Sequence, residues 1–225
     1  MTPRRKAQTS TPRDRVVIGL LGAMGGVVVI CAAVLWQLGG LNNTPAWWVS
    51  LDDNPGITEQ SAIELENGIT TALTRLRPEG EEEWAVAIHQ DQLNSWLIHR
   101  LRETVHSFST DQAAGKTIDQ IREVQIRIEP AGVTIGARVN HAHGSTVVWA
   151  VIDLGIDAQD NFTLHAQRVY VGGTRVPAGL ASSYLTSENL GSASIDLGDG
   201  RIVRIRGIRS SDQRLELALR TEIQE

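Results

Sequence analysis

The sequence predicts an α+β protein. It reads as an N-terminal transmembrane helix followed by an extracytoplasmic domain of two amphipathic helices packed on a curved antiparallel sheet. Three observations predict this. Val16–Leu38 runs 23 residues without a charge. Apolar residues recur at three- and four-residue steps over 59–77 and again over 91–106, the helical period. From Ile121 to the C-terminus they recur at every second residue, the period of a half-buried strand. Helices around one strand, then a run of strands, is the order of an α+β domain.

The chain divides into a basic tail (1–15), the hydrophobic stretch (16–38), a linker (39–56) and a domain (57–225). A helix of about 20 apolar residues crosses a bilayer with its backbone groups satisfied internally. The tail carries Arg4, Arg5, Lys6, Arg13 and Arg15 against Asp14, so the remainder holds 16 of the 21 basic and 25 of the 26 acidic residues. Basic residues beside a lone hydrophobic helix stay cytoplasmic. The expected address is therefore the plasma membrane, single-pass, with the acidic domain outside. That acidity argues against nucleic acid, whose phosphates need clustered cations. A cleaved signal peptide fits less well, because its apolar region spans roughly 7–15 residues and ends at a small-x-small site. Here the stretch runs into Trp36-Gln37-Leu38. Cys31, the one cysteine, lies inside it, so no disulfide staples the domain.

Residues 1–15 are too polar to offset their ordering entropy and rest on anionic headgroups at most. Gly22 and Gly26 form a GxxxG spacing that lets two such helices approach closely, a candidate weak homodimer face. Gly39-Gly40 and Asn42-Asn43-Thr44-Pro45 end the helix. Trp36, Trp47 and Trp48 bracket this point, and indoles favour the headgroup region. Asn54-Pro55-Gly56 is a turn and Thr58 the N-cap of a helix over 59–77. Leu65, Ile69, Leu73 and Leu76 mark its apolar face, and Pro78-Glu79-Gly80 stop it. Trp84, Val86 and Ile88 read as a short strand. Leu93, Trp96, Leu97 and Leu101 then mark a helix over 91–106, and 107–117 a polar loop.

Val124–Glu129 and Val133–Val139 form a hairpin about Pro130-Ala131-Gly132, one face dry and one wet. Residues 146–156 are apolar on both faces, which predicts a central strand covered from both sides. Phe162, Leu164, Ala166 and Tyr170 carry the next strand, interrupted at Gly172-Gly173. A short helix near 177–186, a strand near 193–198, a turn at Asp199-Gly200 and strands over 201–209 and around Leu215–Leu219 complete the chain.

The residues offer little chemistry. His141 and His143 share one face of a strand and could reach one ion, with His165 or Asp153 as further ligands. Gly144 closes the same stretch as an exposed turn, which is the preferred reading, so no metal site is expected. There is no G-x-S-x-G elbow and no exported cysteine, and nothing calls for a cofactor or marks an enzyme. Arg201, Arg204, Arg206 and Arg209 form either a cationic stripe or cross-strand pairs with acids such as Glu216. Leu93, Trp96, Leu97, Trp149 and Tyr170 are either plain core or the walls of an apolar groove.

The stretches WAVAIHQDQLNSWLIHRL, with Leu93-Asn94 and Trp96-Leu97, the Val124–Val139 hairpin and Gly172…Pro177 follow a basic tail and a signal-anchor helix. In that order they resemble the YpmS-like group of single-pass bacterial envelope proteins. That group is similar to tubular lipid-binding (TULIP-like) domains, in which a curved sheet wraps a long helix. The resemblance covers roughly residues 16–185. It implies an envelope address and contact with lipid, and supplies no catalytic residue. The expected function is a non-catalytic envelope domain that binds lipid or another apolar ligand. The alternatives are a structural or accessory subunit of an envelope complex, and an unrecognised hydrolase.

Overall fold

Helix α1 (Glu59–Thr74) starts at the expected cap, where Thr58 Oγ1 accepts from Ser61 N at 3.1 Å. It ends three residues before the expected 77. Arg75 turns extended (ψ 125°), and the period that enlisted Leu76 fails, leaving that side chain 79% exposed. Arginines hold the freed carbonyls: Arg77 Nη2 donates to Ala72 O at 2.8 Å and Arg201 Nη1 to Arg75 O at 3.3 Å. Strand β1 (Glu83–His89) runs without a loop into α2 (Gln90–Phe108), so strand and helix share one junction.

The computed structural model describes residues 44–49, 56–77, 81–108, 121–141, 144–177, 186–187 and 192–223. The hydrophobic stretch 16–38, with Gly22, Gly26 and Trp36, lies outside them, as do residues 178–185 of the helix expected near 177–186, whose last residue, Thr186, instead begins a strand. Among the described residues no helix is long and apolar enough to cross a membrane.

The strands form two antiparallel sheets, where one curved sheet was expected. The first has the order β1-β10-β9-β8, with β8 (Ser194–Asp196), β9 (Arg201–Ser211) and β10 (Arg214–Ile223). The second has the order β2-β3-β4-β5-β6, with β2 (Ile121–Glu129), β3 (Gly132–His141), β4 (Gly144–Ile156), β5 (Phe162–Val171) and β6 (Thr174–Arg175); the short β7 (Thr186–Ser187) also pairs with β5.

The sheets meet but do not merge, because the free edge of β2 is already occupied. Asn94 Oδ1 accepts from Ile126 N at 2.7 Å, and Gln90 Oε1 accepts from Ile128 N at 2.8 Å. Gln213 N, in the β9–β10 turn, donates to Ile128 O at 3.1 Å, while Gln213 O accepts from Gln90 N at 2.9 Å. Asn94 Nδ2 also donates to Ile126 O at 2.9 Å, so neither Ile126 nor Ile128 keeps a ladder group to recruit β1 or β10.

Alternation sends Val124, Ile126 and Ile128, Val133, Ile135 and Ala137, and Val148, Ala150 and Ile152 to one face. That face packs against Leu65 of α1, Leu97 of α2, and Ile88 and Leu215 of the first sheet. A second cluster joins Leu73 to Phe162, Ile195, Val203, Ile205 and Leu219. Ile69, Val86, Ile208 and Leu217 touch both clusters and make one continuous interior. Burying one such side chain fully is worth about 1.5–3 kcal/mol.

Candidate functional site

On the outer face of the second sheet one row crosses five strands. Gln125, Gly136, Trp149, Tyr170 and Arg175 are successive register partners from β2 to β6. All five positions therefore point away from the core. Trp149 and Tyr170 stack with ring centroids 3.8 Å apart and planes 5° from parallel. The Trp149 indole N–H donates to Gly172 O at 3.0 Å, which pins the ring over the β5–β6 turn.

Residues 44–49 lie across this row. Trp47 meets Trp149 edge-on at 6.1 Å and Trp48 at 5.5 Å. Gly136 makes the room: a Cβ there would stand 2.8 Å from ring carbons of both Trp47 and Trp48. Gln125 Nε2 donates to Val49 O at 2.7 Å. Arg138 lies 5.5 Å over the Trp48 ring and pairs with Glu123 at 2.9 Å. Trp48, expected at the headgroups together with Trp47, is here 8% exposed and packs against Gly136 and Arg138 of β3, while Trp47 meets Trp149 of the doubly apolar strand. Both indole N–H groups are buried without a partner among the described residues. Each such group costs about 1–3 kcal/mol, so ring contact holds the two indoles, while the Gln125–Val49 bond fixes the backbone beside them. The rim is cationic. Arg175 flanks Tyr170, and Arg168, opposite Val151, shares the face; both are exposed.

The five residues expected to wall one groove are parted by the sheet. Leu97 is core, with Leu93 and Trp96 packed against the same inner cluster. Trp96 Nε1 donates to Glu66 Oε1 at 3.1 Å, and Arg100 reaches Glu66 at 3.3 Å and Glu59 at 3.5 Å, so these groups tie the two helices together. Trp149 and Tyr170 sit on the opposite face of the sheet. Sequence reasoning passed over Arg168, Arg175 and Gly136. Their signal was parity, since Gly136 shares the phase of Thr134 and Arg138, and Arg168 that of Tyr170; the hairpin face expected to be wet is instead buried at Gln125, Thr134 and Gly136, under Trp47 and Trp48 at Gly136.

Arg204 and Arg206 of β9 are paired. Arg204 contacts Glu222 at 2.6 Å and Asp160 at 2.8 Å, and Arg206 contacts Glu222 at 3.1 Å and Asp160 at 3.4 Å. The Glu222 hydrogen bond, above all, raises the pKa of Arg204. Asp160 sits in the β4–β5 turn at φ 58°, so this network links the two sheets. In the same turn, backbone bonding from Asn161 lowers the pKa of Asp157.

A cleft of about 650 Å³ opens between α1 and β1, with Asn67, Thr71, Arg75, Glu81 and Trp84 on its walls. Arg77 lies 3.6 Å over the Trp84 ring there; burial, then the Arg75 and Arg201 charges, lower its pKa. Its walls mix both charges with one indole and form no apolar tunnel. His141, at the end of β3, is within 3.0 Å of Thr146 Oγ1, and Asp153 accepts from Gln167 at 2.6 Å. His143 lies outside the described residues. Among those described, no three His, Cys, Asp or Glu residues stand together as a metal site.

No protein-family model matches the chain, and no curated protein matches its sequence. Among solved structures, the crystal structure of lipopolysaccharide binding protein aligns with a TM-score of 0.27 at 14% identity. That alignment covers 46% of this chain and 37% of the other. A likeness at that score carries no argument about fold or ligand.

Proposed function

We propose that the chain is a non-catalytic, membrane-anchored envelope domain that contacts lipid through the Trp149–Tyr170 face. The observation that carries this reading is the position of residues 44–49. They follow the hydrophobic stretch after only residues 39–43, and they lie on that face. An extended chain spans at most about 3.5 Å per residue. The face is then tethered within about 20 Å of the end of the membrane helix. The basic tail supports a cytoplasmic N-terminus and an external domain. A reporter active only outside the cytoplasm, fused after Glu225, is expected to be active. Silence there, with a cytoplasmic reporter working at the same point, overturns the orientation.

A structural or accessory envelope subunit without a ligand is the second reading. The filled interior favours it: Val148, Ala150 and Ile152 are 1%, 0% and 0% exposed, leaving no room for an enclosed acyl chain beneath β4. Mass spectrometry of the purified chain separates the two. Lipid recovered with the wild type and diminished in Trp149→Ala supports lipid contact, and a lipid-free wild type leaves the accessory subunit.

A further inference from the structure

Arg127 and Arg138, on the outer face of the second sheet, are each paired with an acid on that face. Arg127 contacts Glu129 at 2.7 Å and Arg138 contacts Glu123 at 2.9 Å. Asp153, one row beyond Arg168, accepts from Gln167 at 2.6 Å. Arg168 and Arg175 are exposed and form no ion pair among the described residues. They flank the half-buried Tyr170 along β5 and β6. We infer that Arg168 and Arg175, with Tyr170 beside both and Trp149 stacked on it, form a docking surface for the anionic phosphate headgroups of the bilayer that anchors the chain. This rests on the anchoring reading above and names the surface and the lipid class.

Three features point to that occupant. The guanidinium fork matches phosphate geometry, and indole and phenol rings favour the headgroup layer. The tether ends on this face, so the bilayer is within reach of it. The domain as a whole is acidic, since residues after the tail hold 16 basic against 25 acidic groups. An anionic surface therefore repels it in most orientations and attracts it only through a face whose cations are uncompensated.

The test uses the full chain in nanodiscs of phosphatidylcholine alone or with about one lipid in three replaced by phosphatidylglycerol. Arginine-directed phenylglyoxal labelling is read by mass spectrometry at Arg168 and Arg175, with the exposed Arg209 of the first sheet as internal control. Protection of Arg168 and Arg175 by about fivefold each in anionic discs, with Arg209 unchanged, is expected. Arg168→Gln with Arg175→Gln is expected to return Tyr170 iodination in anionic discs to its level in neutral ones. Equal labelling of all three arginines in both discs overturns the proposal. Flotation of the same chain with neutral liposomes checks the anchor separately. A chain that floats but shows no protection loses the docking surface alone, and one that does not float loses both.

Discussion

The side-chain amide of Asn94 makes both hydrogen bonds of a missing strand neighbour, accepting from Ile126 N at 2.7 Å and donating to Ile126 O at 2.9 Å. Gln90, one helical turn earlier, repeats half of this at Ile128. A rise of 1.5 Å over four helical residues is about 6 Å, close to the two-residue repeat of a strand. Helix and strand can therefore be stitched in register.

Asn94→Ala strands one buried donor and one buried acceptor of β2. A loss of about 2–4 kcal/mol is expected from denaturant unfolding. Asn94→Asp is the sharper test. Its carboxylate accepts from Ile126 N but brings no proton to Ile126 O, so burial raises its pKa in the folded state. The penalty is then full at neutral pH and is relieved as pH falls through the raised value. A variant whose stability does not recover on acidification would show that the edge is capped some other way.

At Gly136 the limit is space. Gly136→Ala places a Cβ against two indole rings and is expected to displace residues 44–49, at a cost of about 1–3 kcal/mol. The measurable sign is a red shift of tryptophan emission with the unfolding transition still cooperative. Unchanged emission would mean that Trp47 and Trp48 do not depend on that gap.

Trp96→Ala and Trp149→Ala remove rings from opposite sides of one sheet. Trp96→Ala is expected to cost about 3–5 kcal/mol, since it opens a hole beside the core and leaves Glu66 with Arg100 but without the indole donor. Trp149→Ala is expected at the lower end of that range, because its ring stacks on Tyr170 in a half-exposed site. Thermal melts of the two variants and the double variant check this. The sheet between the rings predicts additivity within about 0.5 kcal/mol.

Asp157 supplies a pH test. Backbone bonding from Asn161 holds its carboxyl below the ordinary 3.8, so it stabilises the fold above that value and the contribution is lost as pH falls toward the depressed one. Asn at this position can accept the same amide bonds. Asp157→Asn is therefore expected to flatten the acid limb of a stability profile between about pH 2 and pH 5 and to leave neutral stability nearly unchanged.

Legibility in the sequence followed the range of the interaction. The Thr58 cap, the starts of both helices, the Val124–Val139 hairpin and the doubly apolar 146–156 strand rest on neighbours within a few residues, and each stands where its pattern put it. Leu76 misled because periodicity persists past the residue whose backbone breaks the helix. Asn94 and Gln90 read as polar helix positions, since nothing local shows that a strand edge faces them. The pairing of Arg204 and Arg206 was foreseeable in kind, but Asp160 comes from the other sheet and leaves no mark near β9. The separation of Trp96 from Trp149 follows from which side of β2 the helix lies on, and no period encodes that.

The indole of Trp84 donates to Thr221 Oγ1 at 3.1 Å across 137 positions of chain, and all seven residues of β1 pair with β10. A chain synthesised from its N-terminus holds β1 without a partner until β10 has emerged. Closing so wide a loop is slow compared with forming the hairpins between. The β1 edge is thus closed only after the hairpins between, and a stop before Arg214 leaves an unpaired Trp84-Ala85-Val86-Ala87-Ile88 edge open to any passing strand.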